Sequence, residues 1–128
     1  MTKTLVVSKA APQAIGPYSQ AVIHGDLAFL SGMLPIVPVN GEMAEEEISV
    51  QTKQVLENIK SLLADISSSL DQVLKTTIFL KDLKDFQTVN EIYGTYFGDS
   101  LPARSCVEVA RIPKDALIEI EVIASMKG

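Results

Sequence analysis

The 128-residue sequence contains one cysteine, one histidine and no tryptophan. A single cysteine excludes an internal disulfide and a cysteine-rich zinc site. A single histidine argues against a zinc centre and against a cysteine–histidine catalytic pair, and His24 lies in a predicted tight turn that is typical of the protein surface. The glycine-rich loops that bind nucleotides and the G-x-S-x-G nucleophile elbow are also absent from the sequence.

The sequence also lacks a basic stripe and a long apolar run. Eleven Lys and Arg stand against 16 Asp and Glu, a net charge of −5, and the basic residues are scattered, whereas nucleic-acid binding requires them clustered. No apolar run reaches the ~18 residues of a membrane span, and the N-terminus lacks the apolar core of a signal peptide. We therefore expect a cytoplasmic protein with no nucleic-acid or membrane partner. The 47% of hydrophobic residues can fill the core of a single domain, residues 1–128.

Side-chain periodicity predicts the element order β-β-β-α-β-α-β-β. The strands are expected at residues 4–7, 19–23, 27–31, 75–81, 102–109 and 117–126, and the amphipathic helices at residues 48–67 and 85–97. Two such helices can cover only one face of a sheet, which predicts an α+β fold with the other face uncovered. An uncovered face that is half apolar and half charged favours a subunit interface.

The last two predicted strands carry the most informative polar residues. The seven-residue connection between them contains Pro113 and predicts that the two strands form a hairpin. Alternation of side chains then places Arg104, Cys106 and Glu119 on the same face, opposite the core. One interpretation is an ordinary solvated face. The other is a site at which the guanidinium binds a planar carboxylate and the glutamate handles a proton or a water.

Two further positions allow more than one interpretation. Gly32 ends a predicted strand, which indicates a close approach of the backbone, a positive φ or simply the end of the strand. Asn90 lies beside the apolar stripe of the second helix, so its amide is predicted either to make a structural hydrogen bond or to reach a site.

Several motifs spread over nearly the whole chain carry a family resemblance. They are AIGPYSQA at residues 14–21, FLSG at 29–32, KTT at 75–77, VNE at 89–91, PARSCVEV at 102–109 and IEIE at 118–121. By these motifs the sequence resembles the RidA (YjgF) family of reactive-intermediate, or imine, deaminases. The resemblance implies a chorismate-mutase-like α+β fold and a homotrimer with clefts between neighbouring subunits. It also implies hydrolysis of 2-imino acids, such as 2-iminobutanoate and 2-iminopropanoate, to 2-keto acids and ammonia, with no cofactor and no metal.

The same resemblance implies roles for individual residues. Arg104 would clamp the substrate carboxylate, and Glu119 would activate the water and move a proton. Cys106 would contribute its backbone and a small thiol wall rather than a nucleophile. The residues expected to shape the substrate-binding cleft are Tyr18, Ser31, Gly32 and Asn90, with Tyr18 and Asn90 on the subunit opposite the arginine.

Two further considerations concern the ligand and the activity. Many relatives carry glutamine where Met33 stands, near the expected cleft, so the substrate preference is not fixed. A non-catalytic regulatory protein that binds keto acids would use Arg104 without needing Glu119. A ribonuclease activity has been attached to some relatives, but the acidic charge and the absence of a basic stripe argue against it here.

Overall fold

The structure, a computed structural model, describes residues 2–127. The strands are β1 (Thr4–Val6), β2 (Ala21–His24), β3 (Leu27–Met33), β4 (Val73–Leu80), β5 (Ala103–Glu108) and β6 (Ile118–Ser125), and the helices are α1 (Ile48–Asp65) and α2 (Phe86–Phe97). The predicted order of elements is confirmed, and the ends differ from the prediction by at most two residues. Of the helices within residues 2–127, none combines the length and apolar character that crossing a bilayer requires.

The six strands form one mixed sheet in the order β1-β2-β3-β6-β4-β5. β6 is antiparallel to both of its neighbours, β3 and β4, whereas β5 runs parallel to β4 at the sheet edge. The predicted hairpin of the last two strands is therefore wrong. Every second residue of β6, from Ile118 to Ala124, is at most 2% exposed, and so apolar a strand is most stable in the middle of the sheet, where it has a partner on each side. β5 is more exposed and takes the edge.

Both helices pack on the same face of the sheet, as predicted. The buried stripe of α1 includes Val55, Leu56, Ile59, Leu62 and Leu63, and it forms one core cluster with alternate residues of β3, β4 and β6. One detail differs from the prediction at the start of β4. Strict alternation along β4 would place Leu74 on the same face as Thr76 and Ile78, but a register shift between Val73 and Lys75 places Val73 in the core and turns Leu74 outward with 48% exposure.

Two buried amides on α1 hold segments that flank the functional region. Asn58 Nδ2 donates to the carbonyl oxygens of Leu34 at 3.2 Å and Ile36 at 2.8 Å, just after β3. Gln51 Oε1 accepts from the N–H of Leu117 at 2.8 Å, just before β6. Gln51 is only 2% exposed, although glutamine is usually a surface residue, and its side chain satisfies a backbone N–H that no strand partner reaches.

The opposite face of the sheet is largely open. Within the part of the chain that the structure describes, this face is covered only at one end, by a small cluster containing Leu34, Ile36, Ile112 and Ala116 that packs on Phe79. Elsewhere Phe29 of β3 and Val107 of β5 remain 41% and 43% exposed, and Glu119 and Glu121 of β6 lie on the same face. The open face is therefore apolar in part and charged in part.

Candidate active site

Arg104 and Glu119 lie on opposite faces of the sheet, and the prediction that they share a face is wrong. Arg104 is the β5 partner of Thr76 in β4, and Thr76 is fully buried beneath the helices. Glu119 is the β6 partner of Phe79, three residues further along β4. Successive side chains of a strand alternate between its faces, so Arg104 projects toward the helices and Glu119 toward the open face.

Helix α2 explains how an arginine can lie on the covered side. Arg104 Nη1 donates to Asn90 Oδ1 at 2.7 Å. The guanidinium carbon lies 5.4 Å from the ring centre of Phe86 and 5.0 Å from that of Tyr93. These three α2 residues recur at steps of four and three and therefore share one helix face. Two aromatic faces and an amide thus hold the cation at the edge of the sheet.

The guanidinium retains donors for a ligand. Within residues 2–127, no carboxylate lies within salt-bridge distance of Arg104, and the side chain is partly exposed. Its planar N–H groups can therefore donate two parallel hydrogen bonds to a carboxylate. Asn90 was expected on the subunit opposite the arginine, and that expectation is wrong because the two side chains are hydrogen-bonded within one chain.

Cys106 lies two residues beyond Arg104 on the same face and packs against the core. Burial raises the pKa of its thiol, and the nearby Arg104 charge only partly opposes that rise. The thiolate is therefore disfavoured, which suits a small apolar wall better than a nucleophile. His24, the sole histidine, ends β2 at an exposed turn.

A cleft of about 540 Å³ opens on the other face of the sheet, around Glu119. Its walls are formed by Ile15, Tyr18, Ser31, Gly32, Leu34, Pro113, Glu119 and Glu121. The cleft thus brings together four of the seven predicted site residues, and the arginine region holds the other three. Met33 does not line this cleft: it is 6% exposed and faces a smaller cavity of about 30 Å³ behind it.

Gly32 lies directly against the carboxyl group of Glu119. A Cβ at this position would lie 2.8 Å from Glu119 Cδ, closer than packed carbon atoms approach. Positive φ angles occur at Gly25, Gly41 and Gly98 but not at Gly32. Of the three interpretations of Gly32, close approach is therefore the correct one. The missing side chain at position 32 leaves space for the carboxyl group of Glu119.

The surroundings of Glu119 favour its protonated form. Half-burial raises the pKa of this carboxyl group, and the neighbouring charge of Glu121 raises it further. Both effects bring the pKa closer to neutral pH, where a carboxyl group can both give and take a proton. Among the described residues, no group of three or more His, Cys, Asp or Glu side chains is placed to hold a metal ion.

The residues that sequence reasoning missed fall into two groups. Phe86 and Tyr93 were assigned to the apolar stripe of α2, although their spacing around Asn90 could have indicated a surface for a cation. The cleft is also lined by three apolar residues, Ile15, Leu34 and Pro113. Because they carry no polar side chain, nothing in the sequence pattern distinguished them from ordinary loop residues. Their contribution is an apolar wall beside the polar Glu119.

Comparisons with known proteins agree with this architecture. Residues 8–126 match the endoribonuclease L-PSP family. A RutC family protein of Pyrococcus abyssi is 51% identical over 124 residues, 97% of this chain and 98% of that protein. The 2-iminobutanoate/2-iminopropanoate deaminase of Salmonella typhimurium is 47% identical over 127 residues, 97% of this chain and 98% of that protein. The crystal structure of E. coli TdcF with bound serine superposes with a TM-score of 0.90 at 41% identity, over 95% of this chain and 98% of that one.

The six-stranded sheet with two helices on one face defines an α+β protein of the Rid (YjgF) type, and the predicted fold class is confirmed. The chain belongs to the endoribonuclease L-PSP family, to which the RidA proteins also belong. The family resemblance carried by the sequence motifs is therefore confirmed over nearly the whole chain.

Proposed function

We propose that this protein hydrolyses 2-imino acids, 2-iminobutanoate and 2-iminopropanoate in particular, to 2-keto acids and ammonia in clefts between the subunits of a homotrimer. The proposal rests on two complementary groups, Arg104 and Glu119, that lie on opposite faces of the sheet. Arg104 offers a carboxylate-binding fork at the edge strand, and Glu119 offers a proton-transferring carboxyl group in a cleft on the opposite face. The 47% identity to the Salmonella typhimurium deaminase supports the same activity.

A small imino acid cannot contact both groups of one chain, because the sheet separates them. A neighbouring copy that packs on the open face would bring its own edge strand β5, and hence its Arg104, to the cleft. The exposed apolar residues of the open face, such as Phe29 and Val107, favour burial against another subunit. Each site of the trimer would then combine the arginine region of one protomer with the cleft of the next.

The chemistry needs a fixed carboxylate and one group that moves protons. With the substrate carboxylate on Arg104, a water forms a C–O bond at C2 while the C=N π bond breaks and the nitrogen takes the proton of Glu119. The glutamate then accepts a proton from the added water, which leaves a neutral carbinolamine. In the second stage Glu119 returns that proton to the nitrogen, the C–N bond breaks and ammonia leaves. The remaining hydroxyl proton passes to Glu119 as the C=O bond forms.

Other residues of the cleft would position the reactants in this scheme. Gly32 lies against the carboxyl group of Glu119, and Ser31 and Tyr18 line the same cleft. The apolar wall that includes Leu34 and Pro113 suits the short aliphatic side chain of these substrates. Cys106 would close the arginine region with its uncharged thiol, and Asn90 would orient the guanidinium.

A second candidate is a regulatory protein that binds keto acids without converting them. It is favoured by the structure of the relative TdcF with bound serine, since serine is a small carboxylate ligand of that protein.

Ribonuclease activity, which the family description names, is not proposed. The chain carries a net charge of −5, and its one histidine lies at an exposed turn away from both regions.

A coupled assay tests the proposal. A threonine dehydratase generates 2-iminobutanoate in a buffer that contains an imine scavenger, and keto-acid release is followed with the wild type, Arg104→Ala and Glu119→Ala. Calorimetry measures 2-ketobutanoate binding in parallel. We expect Arg104→Ala to lose binding and turnover, and Glu119→Ala to lose turnover while retaining most of the binding. Full imine hydrolysis by Glu119→Ala would contradict the mechanism. Binding without any acceleration by the wild type would favour the regulatory protein.

A further inference from the structure

Gln20 is a buried side chain whose hydrogen bonds all go to one loop. Its Oε1 accepts from the N–H of Ser8 at 2.6 Å. Its Nε2 donates to the carbonyl oxygens of Ser8 at 2.9 Å and Pro12 at 2.7 Å, with Ala11 farther away at 3.3 Å. The residue is 7% exposed, and both N–H groups and the oxygen of the amide are used. The Gln20 amide therefore supplies the hydrogen bonds that a neighbouring strand would otherwise make to the backbone of residues 8–12.

The loop that Gln20 holds has few other anchors. It connects β1 to β2, and its ends lie close together because Val6 pairs with Ala21. Between residues 9 and 18 only Ala11 is buried, so apolar packing contributes little. The side chain of Gln13 donates to the carbonyl oxygen of Ser8, but this bond lies within the loop and would move with it. The loop has the character of an Ω-loop held at its neck.

The same loop forms part of the cleft around Glu119. Ile15 and Tyr18 line that cleft, and the N–H of Ile15 donates to the Tyr18 hydroxyl at 3.3 Å. The main-chain oxygen of Gln20 accepts from the N–H of Ser31 at 3.0 Å, and Ser31 Oγ donates to the adjacent carbonyl of residue 19 at 2.6 Å. Gln20 thus binds the loop with its side chain and the cleft residue Ser31 with its main chain. It does not itself line the cleft.

We propose that Gln20 is a positioning residue of this site. Its side chain holds the loop of residues 8–18 so that Ile15 and Tyr18 form the rim of the cleft around a 2-imino or 2-keto acid. The identity of the ligand rests on the proposed function, whereas the holding of the loop does not. Because a rim that is already ordered loses less conformational freedom on binding, the effect should appear mainly in ligand affinity.

The test compares Gln20→Met with the matched control Gln72→Met. Both substitutions keep the length of the side chain and remove the hydrogen bonds that its amide group donates to backbone carbonyl oxygens. Gln72 donates to Ser125 and Lys127 at 3.0 Å each, near the C-terminal end of β6, and it lines neither the cleft nor the smaller cavity behind it. Hydrogen exchange of residues 9–18, calorimetric Kd for 2-ketobutanoate and Tm are measured for both variants. If Gln20→Met does not fold, Gln20→Asn, which keeps the amide but shortens its reach, replaces it.

We expect Gln20→Met to accelerate amide exchange in residues 9–18 by about tenfold or more. The Kd for 2-ketobutanoate should rise about fivefold or more, with a smaller change in kcat. Gln72→Met should leave both readouts at the wild-type level even where its Tm falls by a similar amount. A general loss of stability alone would change the exchange rate and the Kd of both variants to a similar extent.

The opposite results overturn the proposal. These are unchanged exchange in residues 9–18 of Gln20→Met, or a change in Kd that Gln72→Met reproduces. If the wild type binds 2-ketobutanoate but hydrolyses no imine, the proposed function fails while the Gln20 result stands by itself. If the wild type binds no keto acid, the ligand part of the inference fails with the function, and hydrogen exchange decides the loop part.

Discussion

Replacing Gly32 by alanine should disable the site while leaving the fold largely intact. The new Cβ would lie 2.8 Å from Cδ and 3.2 Å from Cγ of Glu119, so the carboxyl group would have to move. Gly32 does not require a positive φ, and the backbone can therefore accept alanine without strain. The substitution displaces one functional group and changes little else.

The expected magnitudes differ for stability and for catalysis. The clashing atoms belong to the flexible end of a side chain, and a rotation of ~30° away from a rotamer costs about 0.5–1.5 kcal/mol. For a domain of this size that corresponds to a fall in Tm of roughly 2–6 °C. Displacement of a reacting group by ~1 Å can cost about 100-fold in rate. We therefore expect kcat/KM of Gly32→Ala to fall about 100-fold with only a modest change in Tm.

The coupled imine assay and thermal unfolding followed by circular dichroism measure the two effects. Gly94→Ala is the matched control, because a Cβ at this helical position meets no atom within 4 Å. It should gain about 0.5–1 kcal/mol of stability and keep wild-type activity. In the double variant with Glu119→Ala, the added methyl should cost no further activity. Wild-type kcat/KM in Gly32→Ala, or a loss that adds fully to that of Glu119→Ala, would show that the space at Gly32 does not position the Glu119 carboxyl group.

Three further predictions follow from the arginine region, the cleft and the core. Arg104→Lys keeps the charge but removes the planar fork, so kcat/KM in the imine assay should fall about 10–100-fold; a loss of less than about threefold would contradict a bidentate clamp. The pKa of Glu119 is higher in the folded protein than in the unfolded chain, so the folded state binds the extra proton and loses stability as pH rises through the folded-state pKa. Glu119→Gln should therefore raise Tm at about pH 8 and leave it nearly unchanged at about pH 4 in scanning calorimetry, whereas equal shifts at both pH values would be inconsistent. Thr52 is fully buried, and its Oγ1 has no hydrogen-bond partner among the described residues. Thr52→Val should therefore stabilise the protein by about 1 kcal/mol in urea unfolding, and a destabilised variant would count against this assignment.

The elements of this fold could be predicted because each depends on local periodicity. The stripe of α1 and the alternation of β6 are visible in a window of a few residues. The pairing of β5 could not be predicted in the same way. Proximity in sequence favoured a hairpin through Pro113, but the partner of a strand is decided by how much apolar surface it can bury in the whole sheet. β6 buries more than β5, so it lies at the centre beside β3 and β4.

The side of the sheet that Arg104 occupies depended on that pairing. The prediction placed Arg104 opposite the core, and strand alternation would then put Val107 in the core, yet Val107 is 43% exposed. The cost of placing a cation beneath the helices is offset by Phe86, Asn90 and Tyr93, which approach from α2. The contact of Gly32 with Glu119 was equally non-local, since it depends on the register shift of β3 against β6 between Leu30 and Met33. Both features required the strand order before they could be inferred.

Subunit complementation tests whether Arg104 and Glu119 act on one substrate from different chains. Arg104→Ala and Glu119→Ala proteins are co-refolded in equal amounts, and mixed assembly is verified by native mass spectrometry of differently tagged chains. In a cyclic trimer in which each site takes the arginine of one protomer and the glutamate of the next, about a quarter of the sites should contain both groups. We therefore expect about a quarter of the wild-type imine hydrolysis to return. Verified mixed trimers that remain as inactive as either parent would contradict a site shared between chains.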